Sequence, residues 1–326
     1  MADVHDSCDD DGVARDTPLT HAQAKAAFCR EAKGDIPKEL QHMLLPELPE
    51  CKLVGIQAEK AGAPEREPIR PMIPDWFAAR AAPLRAKLPP PMRVMQRGKE
   101  LDPLVVFAPE DRRIYNDTSY PWGTICRVVT AGGGGSGVIV GPRHVLTASH
   151  MMNWGGNLSG TVEVHRAGGF VRASTPYISI YHYNQLSAAS ISFSEVDEDY
   201  VVLVTADRIG DLFGWMGTRT YNSSWDGEPY WWNVGYPSAI GGGLRPTFQR
   251  EKFLDEPWND LGAARSMRTD ADLTPGNSGG PVFGFWDEGP YVVSVASSQS
   301  VSANENWCSG GRYLTNLVHH AISQSP

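Results

Sequence analysis

The chain has 326 residues, 41% hydrophobic and 10% aromatic, enough for a packed core in two or three modest domains. Its net charge of −9 and pI near 5.5 argue against nucleic acid as the main partner, because phosphate binding needs a basic face. There is no run of about 18 apolar residues, so no membrane span is expected. The nine histidines show no metal-ligand spacing, and no metal or other cofactor is expected.

In chain order, the acidic and polar start lacks the basic head and apolar stretch of a signal peptide. The expectation is therefore a cytosolic protein or one whose signal has been removed. Residues 20–33 fit a short helix, with Thr20 as N-cap and Gly34 as stop. Eleven prolines between Pro37 and Pro91 then exclude long helices and central strands, because proline lacks an N–H and restricts its neighbour. Residues 75–87 leave room for one more short helix. Residues 1–104 read as a Pro-rich pro-segment or wrapping arm, the plainer alternative being a disordered tail.

From residue 105 to 326 the pattern changes. Short apolar runs recur at 124–129, 137–146, 161–165, 177–181, 200–204, 230–234, 281–285 and 291–296, mostly separated by Gly, Asn, Asp or Pro. Many short strands with turn signals between them predict an all-β barrel or sandwich, and residues 314–322 predict a closing helix. Of the five cysteines, Cys8, Cys29 and Cys51 lie early and Cys126 and Cys308 late. The odd number leaves at least one thiol free or paired between chains. The aromatic-rich stretch from Trp215 to Tyr236 reads first as barrel core, with a substrate subsite as the alternative.

Chemistry concentrates in three strings. Gly276-Asn277-Ser278-Gly279-Gly280-Pro281 sets a serine between glycines, where the backbone turns sharply and aims N–H groups at a carbonyl. A serine hydroxyl needs a base to become a nucleophile. His150, ending the apolar run Val145-Leu146-Thr147-Ala148-Ser149, is the best candidate; His144 lies inside that run. A third group must orient the base. Asp199 directly precedes the apolar run Tyr200 to Val204, so it can be partly buried; Asp197 is the runner-up. A serine esterase of α/β-hydrolase type would place its histidine after Ser278, where only His319 and His320 stand.

The strings 135–150, 199–204 and 276–281, in the order His150, Asp199, Ser278, resemble the signature blocks of the chymotrypsin-fold, trypsin-like serine proteases. The resemblance covers roughly residues 105–326. It implies two six-stranded antiparallel β-barrels of chymotrypsin type with a C-terminal helix, preceded by the Pro-rich segment. It further implies a serine endopeptidase that acts through these three residues, with Gly276 and Ser278 N–H groups as oxyanion hole. Protein or peptide substrates, a monomer and a secreted precursor follow from the same likeness. Gly135 and Met151 stand where animal members carry a disulfide, and Asn277 stands where they carry an aspartate. Asn277, Asn116-Asp117-Thr118-Ser119-Tyr120-Pro121 and Gly235-Tyr236-Pro237 are similar to the microbial V8-like, or glutamyl-endopeptidase-like, branch. Asp272, Ala296, Ser297 and Gln299 fall at the substrate pocket. Asp272 sits where trypsin-like enzymes bind a basic residue. Ala296 stands where glutamate-specific members keep a histidine, so basic, glutamate and broad preference all stay open. Release of the leader is expected near Val105 or Val106 by resemblance, or, from local chemistry, after Arg112-Arg113, which reads as an exposed basic site before Ile114. The competing function is a catalytically silent protease-fold binding module.

Overall fold

The computed structural model describes residues 110–187, 191, 193–256, 262–300 and 304–326. It also describes residues 16–21, 23–24, 30–32, 35–38, 40, 53–58, 64–79, 86–87, 95–96, 99–100 and 107. The apolar runs become strands. Val54–Gln57 (β1) and Arg113–Tyr115 (β2) come first. Ile125–Thr130 (β3), Gly133–Gly141 (β4), His144–Thr147 (β5), Gly160–Ala167 (β6), Phe170–His182 (β7) and Val201–Thr205 (β8) build the first barrel. Their order is β6-β3-β4-β5-β8-β7, and β7 pairs back onto β6, so the six antiparallel strands close.

The second sheet contains Trp231–Gly235 (β9), Thr247–Lys252 (β10), Ala264–Thr269 (β11), Pro281–Trp286 (β12), Gly289–Ser300 (β13) and Glu305–Gly311 (β14). It runs β11-β14-β13-β12-β9-β10-β2 and, among the described residues, forms a half-barrel without a closing pair. The helix Arg312–Gln324 follows β14.

The apolar runs lack polar alternation because both faces of these strands are covered. Val201 and Leu203 of β8 join Ile139 and Val145 inside the first barrel. Val202 and Val204 join Val138 and Val140 on the other face, against Trp232, Phe283 and Val292 and against Leu314, Leu317 and Val318 of the helix. The interior of the second sheet is aromatic, with Trp225, Trp231, Trp286 and Tyr291 in edge and tilted contacts. The stretch from Trp215 to Tyr236 is thus mainly core: Trp225, Trp231 and Tyr236 are buried.

The leader packs on this body. β1 joins β7 in parallel. Ile69 and Thr218 exchange two backbone hydrogen bonds, as do Met72 and Trp215. Two linker glycines permit this approach: a Cβ would stand 2.6 Å from the Met72 carbonyl oxygen at Gly214 and 2.4 Å from that of Ile69 at Gly217. Trp76 donates its indole N–H to the Leu212 carbonyl and Trp215 to that of Arg70. Two helix expectations need correction. Residues 21, 23 and 24 are helical and Thr20 contacts Gln23, but Arg30–Ala32 is a strand paired with Phe77–Ala79. Cross-strand pairing overrides local propensity there and within 75–87. Most of the expected pro-segment boundary, including Val105 and Val106, lies outside the described residues.

Candidate active site

Strand register brings the first two residues together. β5 and β8 are antiparallel, with Thr147 opposite Val201. The chain leaving β5 therefore runs beside the chain entering β8. His150 lies in the tight turn Ser149–Met151, and Asp199 directly follows the turn Phe193–Glu198. The His150 ring Nδ1 lies 2.6 Å from Asp199 Oδ2, and the His150 backbone N–H donates to Asp199 Oδ1 at 2.9 Å. Asp199 is fully buried and the His150 side chain is 10% exposed. A carboxylate on Nδ1 holds the proton there and leaves Nε2 as the basic nitrogen.

Ser278 arrives on the loop before β12. Its carbonyl accepts from Ser136 N–H at 2.8 Å. Gly279 has φ +76°, and a Cβ there would meet Thr147 Oγ1 at 2.1 Å and Ala148 N at 2.7 Å. Only glycine lets this loop lie against the end of β5, three residues before His150. The Gly276 and Ser278 N–H groups donate to no protein acceptor among the described residues, so both remain available to an oxyanion. Asn277 is buried, and its Oδ1 accepts the Thr274 N–H at 3.1 Å. A neutral amide thus closes the turn.

The β12–β13 pairing carries the serine loop to Ala296, whose carbonyl accepts the Gly279 N–H. The next residue, Ser297, donates its hydroxyl to Asp199 Oδ2 at 2.6 Å. Ser297 was legible as a pocket residue, but this bond was not; no sequence pattern marks it until the hairpin pairing is known. Leu273, Thr274, Pro275, Asn277, Ser278 and Ala296 line a cavity of about 190 Å³, completed by Ser297, Ser298 and Gln299. Asp272 is not among these residues. It is 1% exposed, and its Oδ1 accepts the Phe107 N–H at 2.6 Å while Oδ2 has no hydrogen-bond partner among the described residues. Burial pushes its carboxyl up to about 7, against the opposing pull of the Phe107 N–H.

A sequence profile of the trypsin-like peptidase domain matches residues 135–289, the span that holds His150, Asp199 and Ser278. Over that span the chain is similar to trypsin-like peptidase domains. A glutamyl endopeptidase of Bacillus licheniformis is 26% identical over 214 residues, which are 63% of this chain and 62% of that protein. A solved structure of a Glu endopeptidase in complex with MPD superposes with a TM-score of 0.55 at 17% identity. It covers 68% of this chain and all of that one, and it shows a shared chymotrypsin-type fold.

The remaining expected positions also find their places. An ideal Cβ on Gly135 would lie 2.5 Å from the end of the Met151 side chain, so these residues are neighbours packed without a disulfide. Cys126 and Cys308 are buried free thiols, and burial raises both, Cys308 to about 12. Cys8, Cys29 and Cys51 lie outside the described residues. His319 donates to the Glu67 carbonyl and His320 packs on Tyr181, so both are engaged on the helix with the leader and the first barrel. The basic pair does not form the exposed site expected of it. Arg112 is 1% exposed, held by Glu110 and by Thr274 Oγ1, and Arg113 lies in β2 opposite Phe248. No group of side chains suited to a metal occurs among the described residues, and no described helix is long and apolar enough to cross a membrane.

Proposed function

We propose that the chain is a serine endopeptidase working through Ser278, His150 and Asp199. The observation that carries this reading is the double hold of Asp199 on His150, through backbone N–H and ring Nδ1 together. Such a grip fixes ring orientation and tautomer, which a binding module does not need. Ser278 Oγ attacks the peptide carbonyl carbon while its proton passes to His150 Nε2. The carbonyl oxygen becomes an oxyanion held by the Gly276 and Ser278 N–H groups; losing one such donor costs about 10²–10³ in rate. Collapse breaks the C–N bond, and His150 returns the proton to the leaving amine. Water, activated by the same nitrogen, then frees the acyl group from Ser278.

Peptides and proteins are the substrates that suit this chemistry. The leader is read as an intramolecular arm of a precursor made for export, as in the secreted enzymes the chain resembles. A fluorophosphonate probe tests the chemistry directly. It should label the wild-type chain covalently and leave Ser278→Ala unlabelled, with peptide turnover falling by about 10⁶-fold in that variant. Equal labelling of both proteins, or binding of peptides without cleavage, would favour the silent module.

A further inference from the structure

The geometry points to an uncharged side chain, neither basic nor acidic, as the residue held in the pocket immediately before the cleaved bond. This rests on the peptidase reading and adds the substrate class. All nine lining residues are uncharged. The cavity of about 190 Å³ lies below the size of ordinary small-molecule sites, so it suits one side chain. Two described charges beside it, Asp272 and Arg112, are committed elsewhere. Asp272 directly precedes the lining residue Leu273, yet it is buried and turned to the Phe107 N–H. Its own N–H and carbonyl are clamped by the Gln249 side chain at 2.6 and 2.9 Å.

On the acidic side, Arg112 donates to Oγ1 of the lining residue Thr274 at 2.8 Å. Its other two contacts go to both carboxylate oxygens of Glu110, at 2.8 and 2.6 Å, which matches its charge. A substrate ammonium or carboxylate entering this cavity would be desolvated with no opposite charge among the described lining residues to meet it, and burying a charge without a partner is costly. Ser298 and half-buried Gln299 offer neutral polar groups instead. The backbone N–H of Phe107 thus takes Oδ1 of Asp272, the carboxyl that stands where similar enzymes bind a basic residue.

The test uses the full chain and a peptide series that varies only at the residue before the cut, with Ala, Gln, Leu, Lys, Arg, Asp and Glu. The expected result is kcat/KM for the best uncharged residue at least about tenfold above every charged one. Asp272→Asn should change the ratio of uncharged to basic cleavage by less than about twofold, since the carboxylate does not line the pocket. A best substrate with Lys or Arg, or basic cleavage lost tenfold or more in Asp272→Asn, overturns the inference. So does a best substrate with Glu or Asp, the outcome that the name of the Bacillus relative invites. Fluorophosphonate labelling run in parallel separates the two levels. A labelled chain with a charged preference overturns only the pocket assignment. A chain without labelling or turnover, as made and after prolonged incubation, overturns the peptidase reading and this inference with it.

Discussion

Two buried aspartates make the most instructive comparison in the molecule. Asp199 and Asp272 are 0% and 1% exposed. Asp199 accepts three hydrogen bonds, from the His150 backbone, the His150 ring and Ser297. Among the described residues Asp272 accepts one, from Phe107, and leaves an oxygen with no partner. The first holds the His150 ring in place. The second is a carboxyl that burial drives toward its neutral form. Burial alone therefore does not set what a carboxyl does; the number of donors aimed at it decides.

The comparison can be broken in order of effect. Asp199→Asn is expected to lower kcat by about 10⁴-fold, because an amide cannot hold the same imidazole tautomer. Steady-state kinetics checks this, and a loss of less than about tenfold would show that Asp199 does not orient the base. Ser297→Ala removes one of the three donors and keeps the pair. One hydrogen bond to a charged acceptor is worth about 1.5–3 kcal/mol, so kcat should fall by about ten- to a hundredfold while fluorophosphonate labelling persists.

Asp272→Asn should touch stability before catalysis. The folded carboxyl titrates at about 7 and the unfolded one near 4, so the folded chain holds a proton that the unfolded chain releases. The sign follows: this contribution is fully present below about pH 4 and is lost as pH rises to about 7. His144 and His165 act oppositely. Burial lowers both to about 4, so their contribution is present above about pH 6.5 and is lost as pH falls toward 4. The difference in melting temperature between wild type and Asp272→Asn isolates the aspartate. It should change steadily between pH 4 and 7, and a flat difference would remove the contrast with Asp199.

Much of the site was legible because strand ends carry it. His150 closes one apolar run and Asp199 opens another, and antiparallel pairing of those runs is enough to make them neighbours. The glycines around Ser278 announced a loop that must lie close to other backbone, and Gly279 does. What escaped the sequence depends on side chains that meet only after folding. Asp272 stands at the position that binds a basic residue in similar enzymes, yet Phe107, 165 residues away, occupies its oxygen. Arg112 and Arg113 read as an exposed processing site, and tertiary pairing with Glu110, Thr274 and Phe248 buries or orders them. The short helices expected in the leader fail for a related reason: propensity predicts them, whereas strand pairing decides part of that segment.

The seat formed by Gly214 and Gly217 bears on what a cut enzyme would be. Residues 64–79 hold the segment Leu212–Thr218 by four backbone hydrogen bonds and two indole N–H contacts, with room left by Gly214 and Gly217. A single cut between Ala79 and Phe107 severs the chain without severing those bonds. Such a protein should migrate as two bands under denaturing conditions and as one particle by native mass. Maturation would then produce a two-chain enzyme, with the shorter chain kept as a subunit.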